Sequence, residues 1–161
     1  MDLDQLRTSL AQATGTVGWV LVNGNSRFEE LAATLGVPDY VLRTAEDLTA
    51  SVVFEKFLSD AARDVCTYAV EDEIAMEDPA GRVLLHLVEP TAVLPDDEIA
   101  IRDNLAYLLL RFHGRAIEPS SPEMDPWLTL ITAVQAEAED PALAWRTVCV
   151  GLVMHPAFVS Y

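Results

Sequence analysis

Asp125-Pro-Trp-Leu-Thr-Leu-Ile-Thr-Ala-Val-Gln-Ala-Glu-Ala-Glu-Asp-Pro-Ala-Leu-Ala-Trp-Arg-Thr-Val-Cys-Val-Gly-Leu-Val-Met154 carries two helix-start signals, and they decide the fold. Asp125-Pro126 and Asp140-Pro141 each offer a carboxylate acceptor at the N-cap and a proline at the first helical position. Proline suits that position because its missing N–H would be unpaired there anyway and its φ is already helical. Behind each start the apolar residues recur at helical spacing: Trp127, Leu130, Ile131 and Val134 in the first, Trp145, Val148, Cys149 and Leu152 in the second. The short connection forces the two helices antiparallel. An apolar tail, His155-Pro-Ala-Phe-Val-Ser-Tyr161, follows; so greasy a terminus needs a core or a partner to cover it.

Upstream the same periodicity continues. Over 52–70, Phe54, Phe57, Leu58, Ala61, Val65, Tyr68 and Ala69 form one stripe and Lys56, Asp60, Arg63 and Asp64 the other face, until the acidic run 71–73 ends the pattern. Pro95-Asp-Asp-Glu98 puts acids at a helix start; the helix buries Ile101, Leu105, Leu108, Leu109 and Phe112 and exits at Gly114. Residues 3–13 form a short first helix, and the capping box Ser26-Arg-Phe-Glu29 opens another that stops at Gly36. Residues 19–22 and 83–88 read as candidate short strands. The expected fold is all-α or mostly α, a single-domain bundle of about five to six helices over 1–161 with an N-terminal subregion at 1–50.

Charge narrows the classes of partner. Twenty-six acidic residues against ten basic ones give a net charge of −16, so nucleic acid and anionic membrane surfaces repel the chain. No apolar run is long enough to cross a membrane. Half of that net charge falls in 69–98, where Glu71, Asp72, Glu73, Glu77, Asp78, Glu89, Asp96, Asp97 and Glu98 face Arg82 alone. This reads as a solvated acidic face or a docking surface for a basic partner. Met1-Asp-Leu-Asp4 lacks the basic and apolar regions of a signal peptide. The expected compartment is cytoplasmic, or the cell envelope if a leader was removed.

No nucleophile elbow, phosphate-binding glycine loop or paired metal-ligand motif is present. His113, flanked by Arg111 and Arg115 at a helix end, is the histidine best placed for an anion or metal contact, with His155 second; both also read as helix C-terminal residues. Cys149, Met154 and His155 are soft donors close in sequence, which makes a metal or haem the alternative to no cofactor. Arg146 is expected to pair with Asp140 or Glu139. Cys66 and Cys149 read first as buried free thiols; the alternative is a disulfide between helices, which would imply an oxidising compartment.

Leu109-Leu-Arg-Phe-His-Gly114, Asp60-Ala-Ala-Arg-Asp-Val-Cys66 and Ala144-Trp-Arg-Thr-Val-Cys-Val-Gly-Leu-Val-Met-His-Pro-Ala-Phe-Val-Ser-Tyr161 resemble an uncharacterised myxobacterial family that ends in a similar Trp…Val-Cys…His-Pro-x-Phe-x-x-Tyr tail. The tail is also similar to exported, cytochrome-associated domains of unknown function. The resemblance implies a helical cell-envelope accessory protein near redox or secretion machinery, and it draws attention to Cys66 and Cys149, which lie in matching segments. The expected function is a non-catalytic accessory subunit that binds a larger protein through Glu71, Asp72, Glu73, Glu77 and Asp78 and through Phe158 and Tyr161 of the tail. The alternatives are a metal- or haem-linked redox accessory protein and a small enzyme completed by a partner subunit.

Overall fold

Helices with one apolar stripe must bury it against another stripe, and here the two central ones are also covalently joined. A computed structural model describes residues 3–15, 52–138 and 140–159; among these are six α-helices and no strand. They are α1 (Leu3–Thr14), α2 (Val52–Ala75), α3 (Glu98–His113), α4 (Asp125–Glu137), α5 (Pro141–Met154) and the short α6 (Pro156–Val159), with 3-10 turns at Pro79–Gly81 and Pro122–Met124. The all-α expectation holds. The expected strand at 19–22 and the helix opening at Ser26 lie outside the described residues.

α5 is the hub. It packs most extensively on α2 and then on α4, and it also touches α3 and α6. Its Ala144, Trp145, Val148, Cys149 and Leu152 meet Ala61, Ala62, Val65, Cys66 and Ala69 of α2 in one core. The small side chains let the backbones approach, and Cys66–Cys149 form a disulfide with Cα atoms 5.7 Å apart. This corrects the reading of two free thiols: both cysteines sit on the buried stripe, at facing positions of packed helices. α1 joins the same core through Leu6, Leu10 and Ala13. Gly15, with φ of 73°, ends it; a Cβ there would fall 2.6 Å from Val83 Cγ2.

The Asp-Pro signals behave differently at the two helices they were read from. Asp140 caps α5 as expected, accepting from Ala142 N–H at 3.0 Å with Pro141 at the first position. Asp125 caps nothing, because Ser121 starts a 3-10 turn first, accepting from Glu123 N–H at 3.2 Å, and α4 continues from it. Where α4 crosses α5, Trp127 lies against Gly151, where a Cβ would sit 3.1 Å from the indole.

Two further expectations are corrected in α2. The helix runs on to Ala75 rather than ending near 70, because Glu73 falls on the buried stripe (Cys66, Ala69, Val70, Glu73) and is itself buried. Tyr68, assigned to the inward stripe, is 62% exposed. The run 83–88 is no strand either. Leu84, Leu85 and Val88 are buried, but the backbone there bonds to side chains instead of to a neighbouring strand.

Trp145 is 3% exposed and its indole N–H has no hydrogen-bond partner. Trp145→Ala should therefore cost about 3–5 kcal/mol in urea unfolding. Trp145→Phe should cost markedly less, because no hydrogen bond is lost. The disulfide spans 83 residues, and the Cys66→Ser/Cys149→Ser pair should lose about 2–4 kcal/mol. Thiol titration of the unfolded, unreduced protein should find no free sulfhydryl.

Candidate functional site

The acidic segment seen in the sequence folds into the long connection between α2 and α3, and three helices pin it through one side chain each. From α2, the Glu73 carboxylate, 4% exposed, accepts from three successive N–H groups: Val83 at 2.8 Å, Leu84 at 2.8 and 3.0 Å, and Leu85 at 2.8 Å. From α3, Asn104, fully buried, accepts from Leu87 N–H at 3.0 Å and donates to the Leu84 carbonyl at 2.8 Å. From α4, Gln135 accepts from Leu94 N–H at 3.0 Å and donates to the Ala92 carbonyl at 3.1 Å. Backbone groups that a sheet would have paired are satisfied this way without one.

This loop, with Ala100 of α3, lines an open cleft of about 470 Å³, a volume ordinary for a ligand or side-chain pocket. Leu85, Val88, Ala92 and Ala100 give it apolar wall, and Arg82, His86, Glu89 and Asp97 give it polar lining. Arg82 is 8% exposed and fixed in place: its Nε donates to the Glu73 carbonyl at 3.1 Å and its Nη1 to the Glu89 carboxylate at 3.2 Å. The His86 ring lies 4.8 Å from Tyr107, and its Nδ1 donates to the Arg82 carbonyl at 3.1 Å. The carbonyl can only accept, so in the neutral ring Nε2 carries the lone pair. Two carboxylates against one guanidinium leave the lining net acidic. The arrangement suits a cationic head on an apolar stem.

The residues singled out from sequence divide sharply. Glu71 is exposed and pairs with Arg146 at 3.2 Å, in place of the expected Asp140; Glu139, the other expected partner, lies outside the described residues. Asp72 and Glu77 are exposed, with no ion pair among the described residues. Asp78, also exposed, caps the 3-10 turn through Ala80 N–H at 3.0 Å. Glu73 is corrected: a carboxylate saturated by backbone N–H groups inside the fold cannot meet a partner. Phe158 is corrected as well, since it is buried with its ring 5.9 Å from Phe112. Tyr161 lies outside the described residues.

His113 and His155 come together, with ring centroids 4.7 Å apart and planes tilted by 31°. The arginines flanking His113 are committed elsewhere, which corrects the anion reading for them. Arg111 donates to the Ala13 carbonyl at 2.8 Å and to the Gln12 carbonyl, closing the C-terminus of α1. Arg115 pairs with Glu123. Each ring has one nitrogen in a backbone hydrogen bond: His113 Nε2 donates to the Leu152 carbonyl at 2.9 Å, and His155 Nδ1 accepts from Ala157 N–H at 3.1 Å. Among the described residues no three His, Cys, Asp or Glu side chains converge on one point. The Cys149 sulfur is bonded to Cys66, so it is not a thiolate ligand.

Sequence reading missed Asn104 and Gln135, and it gave Arg82 and His86 no part in a site. Asn104 had a signal: it sits beside Ile101, Leu105 and Leu108 on the apolar stripe of α3, where an amide is buried only if bonded. No helix among the described residues is long and apolar enough to cross a membrane. No family model matches the chain, and no match was found among curated proteins or solved structures.

In Glu73→Gln one acceptor oxygen becomes an NH2 group aimed at N–H donors. The exchange should cost about 1–3 kcal/mol. Amide hydrogen exchange at Val83, Leu84 and Leu85 should accelerate more than exchange in the middle of α5.

Proposed function

We propose that this protein is a non-catalytic accessory subunit that docks a basic protein partner along its acidic segment, with a Lys or Arg side chain of that partner entering the cleft. The observation that supports this best is the continuity of three features along the chain. The outer face of α2 carries exposed Tyr68, Glu71 and Asp72; Glu77 and Asp78 follow; and Pro79 then lines the cleft, whose walls include Glu89 and Asp97. Carboxylates so arrayed steer a basic surface and fix its register. An exposed tyrosine among them adds an aromatic face for a guanidinium or ammonium. A half-apolar cleft supplies what a flat charged face lacks, a place to desolvate one anchoring side chain.

The Cys66–Cys149 disulfide favours an oxidising compartment for this work, since thiols in the cytosol are kept reduced. It accords with the cell-envelope setting implied by the resemblance of the tail to exported, cytochrome-associated domains. The redox alternative has less behind it, because Cys149 is bonded to Cys66 and is no thiolate ligand.

Binding of a Lys- and Arg-rich helical peptide, followed by fluorescence anisotropy at two salt concentrations, tests the reading. Charge reversal at Asp72 or replacement of Glu89 by Gln should weaken binding about tenfold, equivalent to about 1.4 kcal/mol. The control is Glu55→Lys, exposed on the same helix about 24 Å from Glu71 at the helical rise. Equal losses for all three variants would mean non-specific attraction to an acidic protein and would reject the docking site.

A further inference from the structure

We propose that His113 and His155 form a proton-operated latch: with both rings neutral they hold α6 and Phe158 on the core, and acidification releases that segment while the disulfide-linked helices stay folded. The inference is independent of the docking surface and rests on the roles of three ring nitrogens, two of His113 and one of His155.

His113 ends α3 and reaches across to the last turn of α5, where its Nε2–H donates to the Leu152 carbonyl at 2.9 Å. Its Nδ1 is buried and has no hydrogen-bond partner. That nitrogen is tolerable as a bare lone pair. Protonated, it would be a buried N–H on a cation with no acceptor, which is far more costly. His155, at the junction between α5 and α6, uses its ring in the opposite sense. Its Nδ1 accepts from Ala157 N–H at 3.1 Å, so the side chain caps the first turn of α6. A proton on that nitrogen turns the acceptor into a donor facing a donor, and the cap is lost.

The rings stack at 4.7 Å, so a charge on either one is felt by the other. Burial is the main cause holding the His113 pKa below the usual histidine value. The bond to the Leu152 carbonyl opposes it, and the charges of His155 and Arg115 add to it. Arg115 is itself paired with Glu123, and among the described residues no carboxylate is one of the groups acting on the His113 ring. The sign follows from linkage. A released or unfolded segment binds the His113 proton more tightly than the docked one. Docking is therefore fully favoured above about pH 6.5, the ordinary histidine value, and weakens as pH falls from there toward the lowered value of the docked state.

What the latch covers is defined. Pro156 and the turn that follows carry Phe158 onto Phe112, with ring centroids 5.9 Å apart, and both rings are buried. Release would expose that aromatic pair together with the end of α5. The rest of the core is tied by Cys66–Cys149, whose bond does not titrate.

Hydrogen exchange followed by mass spectrometry on the full chain tests this at pH 7.5 and pH 5.5, with rates corrected for intrinsic pH dependence. Peptides covering 153–159 should exchange at least tenfold faster at pH 5.5, while peptides from α2 keep their protection. In His113→Gln/His155→Asn, Gln supplies a donor and Asn an acceptor that do not titrate in this range, and the acid-induced loss should vanish. Unchanged protection of 153–159 in the parent protein at pH 5.5 would overturn the latch, as would parallel loss of protection across α2. A double variant that still loses protection on acidification would move the switch to other groups and would equally overturn it.

Discussion

The seam between α2 and α5 is the constraint on which the other contacts rest. Its α2 side is lined by Ala61, Ala62, Val65 and Ala69 rather than by large side chains, so the two backbones lie close enough for Cys66 and Cys149 to join. Closely approached helices gain dispersion contacts along their whole length and leave no room for water between them. Every other element is placed by this pair. α4 packs on the free side of α5, Trp127 against Gly151, and α3 meets the C-terminal end of α5. α1 is held at its C-terminus by Arg111 from α3, a contact spanning 98 residues of sequence.

The periodic helices could be read from the chain because a core stripe leaves a repeating trace. Every residue expected on the inward stripes of α3 and α5 is buried, and Asp140-Pro141 begins α5 as its chemistry requires. The errors share a physical cause: a polar residue acting inside the fold looks in sequence like one facing water. Glu73 reads as the middle of a charge run although it continues the stripe of α2. Asn104 reads as a polar interruption although it bonds two backbone groups. Tyr68 errs in the other direction, since its register at the edge of the stripe leaves an aromatic ring outside the core.

The candidate site was legible only in its charge. That acids crowd residues 69–98 is plain from the sequence; that two of them, Glu89 and Asp97, line a cleft is not, and the fold of that loop depends on Glu73, Asn104 and Gln135, which are far apart along the chain and meet it from three helices. Long-range pairings of this kind leave no local pattern. The meeting of His113 with His155 was equally hidden, because no spacing rule links residues on two different helices. The tail was half legible: its need for cover could be inferred, but not that Phe112 of its own chain provides it.

The side-chain pinning of residues 83–88 also bears on how the protein behaves in a crowded solution. A run as rich in valine and leucine as this one, laid out as an edge strand, would offer a row of free N–H and C=O groups to any similar chain it met. Here the N–H groups of Val83, Leu84 and Leu85 are taken up by one carboxylate, and those of Leu87 and Leu94 by amide oxygens. The most amyloid-prone stretch of the loop is thereby folded without an open β-edge, and the carboxylates crowded along the same connection repel neighbouring copies.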